Sequence, residues 1–299
     1  MGLAVRLPRE LVRELRVIPG RAAGLASRPT DRVRTRWPDG EGGRQLVEED
    51  LAEFVQELER AQELLYASAT HSVLVVLQAQ DAAGKDGTIK HVMSGLNPQG
   101  CRVHAFKQPS REELAHDFLW RYQQRLPARG EIVIFNRSYY EEVLVVRVHP
   151  ELLAPTEPGP PPDRFWRRRF QDINAFERHL HRQGTRVVKV FLHVSPQEQR
   201  RRLLERLEDP RKWWKFSPGD LAERRLWDAY QLCYEEAITA TSTSRAPWYV
   251  VPADHKYQLR ALVGGLVVEA ISQLDMRLPA PDGPAREEVD RARAELLGG

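Results

Sequence analysis

"VLVVLQAQDAAGKDGTIKH", residues 73–91, sets an apolar run against a small-residue turn, a lysine and a helical pattern. The order strand, turn, lysine, helix is that of a phosphate-binding loop, whose usual form is G-x-x-x-x-G-K-[ST]. Here Ala79 stands at the first glycine position and Asp86 at the Ser/Thr position, and a second acid, Asp81, lies inside the loop. The loop proper is Ala82, Ala83, Gly84, Lys85, Asp86, Gly87 and Thr88. Its backbone N–H groups open a helix, where the macrodipole favours an anion. Two carboxylates beside a polyanion repel it unless a cation intervenes. Magnesium, a hard ion that bridges carboxylate and phosphate oxygens, answers that charge problem. Asp81 and Asp86 are its candidate ligands, although Asp86 also suits the first turn of a helix without any metal.

Further strands are expected at Arg102–Phe106, Ile132–Phe135, Val187–Val194 and Trp248–Val251, beside Val73–Gln78. Each is short, apolar and rich in β-branched residues, as in strands buried on both faces. Helical patterns separate them at Lys85–Ser94, Arg111–Leu126, Arg137–Val148, Arg164–Gln183 and Gln197–Leu207, with a long stripe from Val47 to Leu65 before them. Alternation of this kind predicts an α/β fold with a parallel sheet and right-handed crossovers. Residues 1–45 read as an Arg/Pro-rich arm with a short helix near Arg9–Val17. Residues 46–277 read as the α/β domain, and 278–299 as a peripheral tail ending in a charged helix. "PTEPGPPPD", residues 155–163, reads as a spacer loop.

Three other stretches carry chemistry. In "GEIVIFNRSYYEEVLVVRVHP", residues 130–150, a strand ends at Asn136, and Arg137 and Glu141 lie four apart, one helical turn. Arg137 is placed to reach a phosphate, and Glu141 to hold a metal-bound water or the acceptor. A structural Arg–Glu pair is the plainer alternative. In "HAFKQPSREE", residues 104–113, Lys107 follows a strand and Ser110 caps a helix. From Ser195 to Tyr230, two helices with Ser-Pro starts enclose Arg200, Arg201, Lys215 and other cations among Trp213, Trp214 and Phe216. That charge pattern suits a lid over phosphates, at about residues 196–235. A solvated basic face, or a single-stranded nucleic-acid surface, accounts for the same residues.

Composition narrows the classes. Of 299 residues, 41% are hydrophobic and 29% charged, ordinary for a globular protein, and the net charge is +3. Arginine supplies 38 of the 45 basic residues, a bias that suits phosphate but also follows from a GC-rich genome. Two distant cysteines, Cys101 and Cys233, make no metal spacing and suit a cytoplasmic protein. No apolar run is long enough for a membrane span, and the N-terminus lacks a signal-peptide pattern.

"DAAGKDGTIKHVMSGLNPQGCRV", "FKQPSREELAHDFLWR", "IVIFNRSYYEEVLVVRVHP" and "DPRKWWKFSPGD" together resemble the type-2 polyphosphate kinase family, in its order, over residues 49 to 276. The resemblance implies a three-layer α/β/α P-loop kinase fold, with a five-stranded parallel sheet and a helical lid. It implies magnesium-dependent phosphoryl transfer between inorganic polyphosphate and adenine nucleotides, guanine nucleotides being a further option and manganese an alternative ion. The subclass with this "NRSYYEE" form accepts both AMP and ADP. On this reading Asp81, Lys85, Arg137 and Glu141 are catalytic, with Asp81, Asp86 and Glu141 sharing the metal. Lys107, Asn136, Arg137, Arg200, Arg201 and Lys215 bind polyphosphate or nucleotide. The family implies a homodimer or homotetramer, with no nucleic-acid partner and no membrane. An ATP-dependent nucleoside monophosphate kinase is the rival enzyme, and a polyanion-binding module without catalysis the rival from another class.

Overall fold

The computed structural model describes residues 5–33, 37–38, 40–153 and 161–298. The elements run α1 (Arg9–Leu15), α2 (Glu41–Ser68), β1 (Ser72–Ala79), α3 (Lys85–Val92), β2 (Cys101–Ala105), α4 (Arg111–Leu114), α5 (Trp120–Gln123) and β3 (Ile132–Asn136). They continue α6 (Val145–Val148), α7 (Asp163–Arg182), β4 (Thr185–His193), α8 (Pro196–Glu208), α9 (Pro218–Arg225), α10 (Trp227–Thr241), β5 (Trp248–Pro252), α11 (Lys256–Ser272) and α12 (Gly283–Gly298). All five expected strands are present.

The strands form one parallel sheet of order β2-β3-β1-β4-β5. Alternate side chains leave opposite faces. Val73, Val75 and Leu77 of β1 pack with α2, α3 and α11, whereas Leu74 and Val76 pack with α7 and α10. Helices therefore cover both faces of the sheet, as the α/β/α expectation requires. Chain order places β1 between β3 and β4, so connections leave β1 and β3 on opposite sides. Ligands of open α/β sheets bind at such a switch point, beyond the carboxyl ends of the strands.

Some elements depart from the sequence reading. Strand β2 lies at a sheet edge and is largely exposed, with Val103 46% exposed, so it is not buried on both faces. Arg111–Leu126 is not one helix but two short ones, because the Asp117 side chain accepts from the N–H of Leu119 and competes with the helix ladder. Arg137–Val148 is likewise broken. Ser138 is extended, its hydroxyl accepts from the N–H of Tyr140, and a 3-10 turn, Tyr139–Val143, precedes α6.

The N-terminal arm packs closely. Leu7, Leu11 and Leu15 are buried with α11, while Val17, Ala23 and Leu25 are buried on the other face of the sheet. Between them, the arm covers the outer edge of β5: Arg16 bridges Tyr249, and the N–H of Val17 donates to Trp248 O at 2.8 Å. Helix α12 buries none of its side chains. Most of the spacer loop, residues 155–160, lies outside the described residues.

Candidate functional site

Strand β1 ends at Ala79, and the chain then turns through Gln80–Gly84 into α3. Ala79 sits in the strand, where its methyl group meets no backbone restriction, so the missing glycine costs nothing there. The left-handed positions come later, at Ala82 (φ 61°) and Gly84 (φ 112°). Gly84 caps α3 without any side-chain bond to the helix end. Thr88 is buried and donates to Gly84 O at 3.0 Å, which leaves the first turn to backbone N–H groups, Lys85 and Asp86.

Lys85 Nζ donates to Ala79 O at 2.9 Å across the mouth of the loop. Burial, and then the charge of Arg137, push its ammonium below the ordinary lysine value, while Asp81 and Glu141 oppose them. Arg137 follows β3 with φ 66°, a strained conformation for an arginine and a common mark of a functional position. Its Nη2 lies 3.1 Å from Asp81 Oδ1 and its Nη1 3.6 Å from Glu141 Oε2. The expected proximity of Arg137 and Glu141 therefore holds, but a strained turn creates it rather than a helical face. Glu141, followed by Asp81, pushes the Arg137 guanidinium up. Burial raises the Glu141 carboxyl above the usual range, with Arg137 and Lys85 pulling it back.

Asp81, Asp86 and Glu141 do not assemble as one metal cage. Among the described residues no three His, Cys, Asp or Glu side chains gather closely enough to hold an ion. The physical reason is occupancy by partners: Arg137 sits between Asp81 and Glu141, and Asn136 Nδ2 donates to Asp86 Oδ1 at 2.7 Å. Any ion here must take most of its ligands from phosphate and water.

Two cavities meet at Asp81 and Arg137. The larger, about 910 Å³, is lined by the whole phosphate loop, Lys107, Asn136, and Arg206, Lys212, Trp214 and Lys215 of the expected lid segment. The smaller, about 190 Å³, is lined by Glu141 together with Gln199, Glu223, Tyr230 and Tyr234 of α8–α10. Of the expected anion contacts, Lys107, Asn136, Arg137 and Lys215 line the larger cavity; Arg200 and Arg201 do not. Both are exposed, and Arg201 pairs with Glu198 and Glu205 on its own helix. Helical spacing explains the difference: Arg202 and Arg206, four apart, share the inward face of α8.

Lys256 and Arg260 also line the larger cavity and escaped the sequence reading. Their signal was two cations, four apart, at the start of the otherwise apolar α11. Arg202, 4% exposed, escaped the site assignment too. Its guanidinium donates to Ala82 O (3.1 Å), Ala83 O (2.7 Å), Ala253 O (2.5 Å) and Asp254 O (3.0 Å), and to Glu198 at 2.7 Å. It pins the phosphate loop to α8 and to the chain beyond β5.

His149, at the end of α6, ties that helix to α9. Its ring nitrogens face Glu151 at 3.2 Å and Glu223 of α9 at 3.0 Å, and Glu223 also accepts from Tyr230 OH at 2.6 Å. Burial lowers its pKa, but the two carboxylates outweigh that and leave it raised. The stability from this pairing is thus complete below the unfolded histidine value of about 6.5 and fades as pH rises through the higher folded value. With both partners partly exposed it contributes at most ~1 kcal/mol. The melting-temperature gap between the wild type and His149→Gln is expected to narrow from pH 6 to pH 9. A gap that stays constant contradicts the pairing.

A family model described as Polyphosphate kinase 2 (PPK2) matches residues 43–279. The chain belongs to the polyphosphate kinase 2 family. Among polyphosphate kinase 2 relatives, the AMP/ADP-polyphosphate phosphotransferase of Meiothermus ruber is 52% identical over 249 residues, 83% of this chain and 90% of its own. The ADP-polyphosphate phosphotransferase of Rhodopseudomonas palustris is 51% identical over 247 residues, 81% of this chain and 85% of its own. The structure of polyphosphate kinase 2 from Arthrobacter aurescens TC1 superposes with a TM-score of 0.85 at 37% identity, covering all of both chains. The sheet order and phosphate loop described above are thus those of a P-loop kinase fold in the polyphosphate kinase 2 family.

Proposed function

We propose that this chain transfers a phosphoryl group reversibly between inorganic polyphosphate and adenine nucleotides, with both AMP and ADP as acceptors. The observation that carries this reading is the larger cavity. Nine lysines and arginines line it against four acids, an excess that suits a chain of phosphates rather than one phosphate group. The names of the two relatives support AMP and ADP as the acceptors.

In this reading the donor's terminal phosphoryl lies over Gly84–Thr88. Lys85 and the loop N–H groups stabilise its oxygens, a contribution that grows as charge shifts in the transition state. The acceptor phosphate approaches from the smaller cavity, and Arg137 stands at the junction where it reaches both. Glu141 keeps Arg137 charged and oriented. Lys107, Asn136 and Lys215 border the path of the polymer. Magnesium, or manganese in its place, fits Asp81 or Asp86 because such an ion takes one or two carboxylates and completes its shell with phosphate oxygens and water. When bound, it supplies neutralisation of charge between the two phosphates.

Cytoplasmic nucleotide pools and the unpaired thiols of Cys101 and Cys233 fit the same reading, as does assembly into a homodimer or homotetramer. No helix among the described residues is long and apolar enough to cross a membrane. The test supplies purified protein with magnesium and polyphosphate but no ATP, and offers ADP and AMP separately. ATP is expected from ADP, and ADP from AMP. If neither forms, the polyphosphate-donor reading fails, and an ATP-dependent monophosphate kinase takes its place.

A further inference from the structure

The lid helices α8–α10 join the sheet at two roots. One is the β4–α8 junction around Ser195, and the other is α10, which returns to β5. A single stretch of the N-terminal arm, Ala23–Thr30, is hydrogen-bonded to both. At α10, the N–H groups of Gly24 and Leu25 donate to the two carboxylate oxygens of Glu235, each at 2.8 Å, and the N–H of Ala23 donates to Thr239 Oγ1 at 2.9 Å. At the other root, Thr30 Oγ1 donates to Asp254 Oδ2 at 2.8 Å, and the N–H of Asp254 donates back to Thr30 O at 2.8 Å. The second oxygen of Asp254, Oδ1, accepts from the N–H of Ser195, the residue that caps α8, at 2.8 Å. The Asp254 carbonyl accepts from Arg202, which also holds Ala82 and Ala83 of the phosphate loop. A continuous hydrogen-bonded route therefore runs from the arm, through Asp254, to the start of the lid and to the phosphate loop.

We propose that Ala23–Thr30 is a strap that ties the two roots of the lid together, and that Thr30 and Glu235 are positioning residues setting the lid over the polyphosphate channel. None of the strap touches the larger cavity, so its effect passes through Asp254 and α10. The matched family region begins at residue 43, so the strap lies outside it. The backbone donors of Gly24 and Leu25 need an acceptor pair, which explains a carboxylate at Glu235 on a helix face that otherwise packs Tyr234 and Ile238. The inference rests on reading α8–α10 as the lid of the polyphosphate site.

Two substitutions separate the strap from ordinary stability. Thr30→Val keeps the shape of the side chain and removes the hydroxyl; Thr30→Ser keeps the hydroxyl. Loss of one hydrogen bond of about 1 kcal/mol corresponds to roughly fivefold. Thr30→Val is expected to raise the KM for polyphosphate by about that factor with kcat little changed, and Thr30→Ser to restore it. Glu235→Gln sets a donor against one of the two N–H groups and is expected to act in the same direction. A merely structural role lowers the active fraction, so kcat falls and KM stays, and that result overturns the proposal. Hydrogen exchange at the Ser195 amide gives a readout independent of substrate: faster exchange in Thr30→Val than in Thr30→Ser is expected, and equal rates overturn the strap. If wild-type protein fails to use polyphosphate, the functional reading fails, while the exchange comparison still decides the strap.

Discussion

Lys85→Met is expected to lower ATP formation from polyphosphate and ADP by about a hundred- to thousandfold, the usual loss when one aligned donor is removed from a developing charge. Methionine matches the lysine stem in length, so packing beside Gly84 and α3 is kept. The fold is expected to melt no lower than the wild type. Burial and Arg137 disfavour the Lys85 charge and together outweigh the pull of Asp81 and Glu141, so neutralising it costs little stability. Steady-state rates and thermal melting on the same preparation test both halves. A rate within tenfold of the wild type removes Lys85 from the chemistry; a collapsed melting temperature recasts it as a structural group.

Arg202→Met should fail differently, losing stability and activity together. The guanidinium is almost wholly buried, and its removal strands four carbonyls and leaves the Glu198 carboxylate with Arg201 alone. Breaking a buried charged network from one side costs about 3–5 kcal/mol. For a domain of this size that lowers the melting temperature on the order of 10 °C. The released loop no longer holds Ala82 at φ 61°, so turnover should fall even at temperatures where the variant stays folded. Calorimetry and assays at 15 °C check this. A variant that melts like the wild type, or a folded variant with full turnover, contradicts the pin.

The contrast between these two residues explains what the sequence could tell. The place of Lys85 was legible because it follows from local order: an apolar strand, a glycine and then the helix. Asn136 and Arg137 were legible as a pair because they close β3, whose apolar run stops there. The sheet was legible for the same reason, since strands buried on both faces leave short apolar, β-branched runs. Strand β2 was placed correctly but misjudged in burial, because its edge position depends on chain order in space.

Arg202 was hidden among adjacent arginines. Four of its five partners lie about fifty to one hundred and twenty residues away, and they are backbone carbonyls, which every residue has. Arg200 and Arg201 looked equally suitable until α8 fixed which side faces inward. The left-handed turn at Arg137 was hidden as well. It arises from the competition of Ser138 with the helix ladder, and the spacing of Arg137 and Glu141 pointed to a regular helix instead.

The backbone twist at Arg137 has a bearing on directed evolution. A glycine at this position would relax a strained torsion that no arginine prefers, yet it would also delete the guanidinium between the two cavities. On the proposed reading of Arg137, selection for heat resistance alone rewards an inert scaffold, and variants bred for industrial endurance need a catalytic screen at every round.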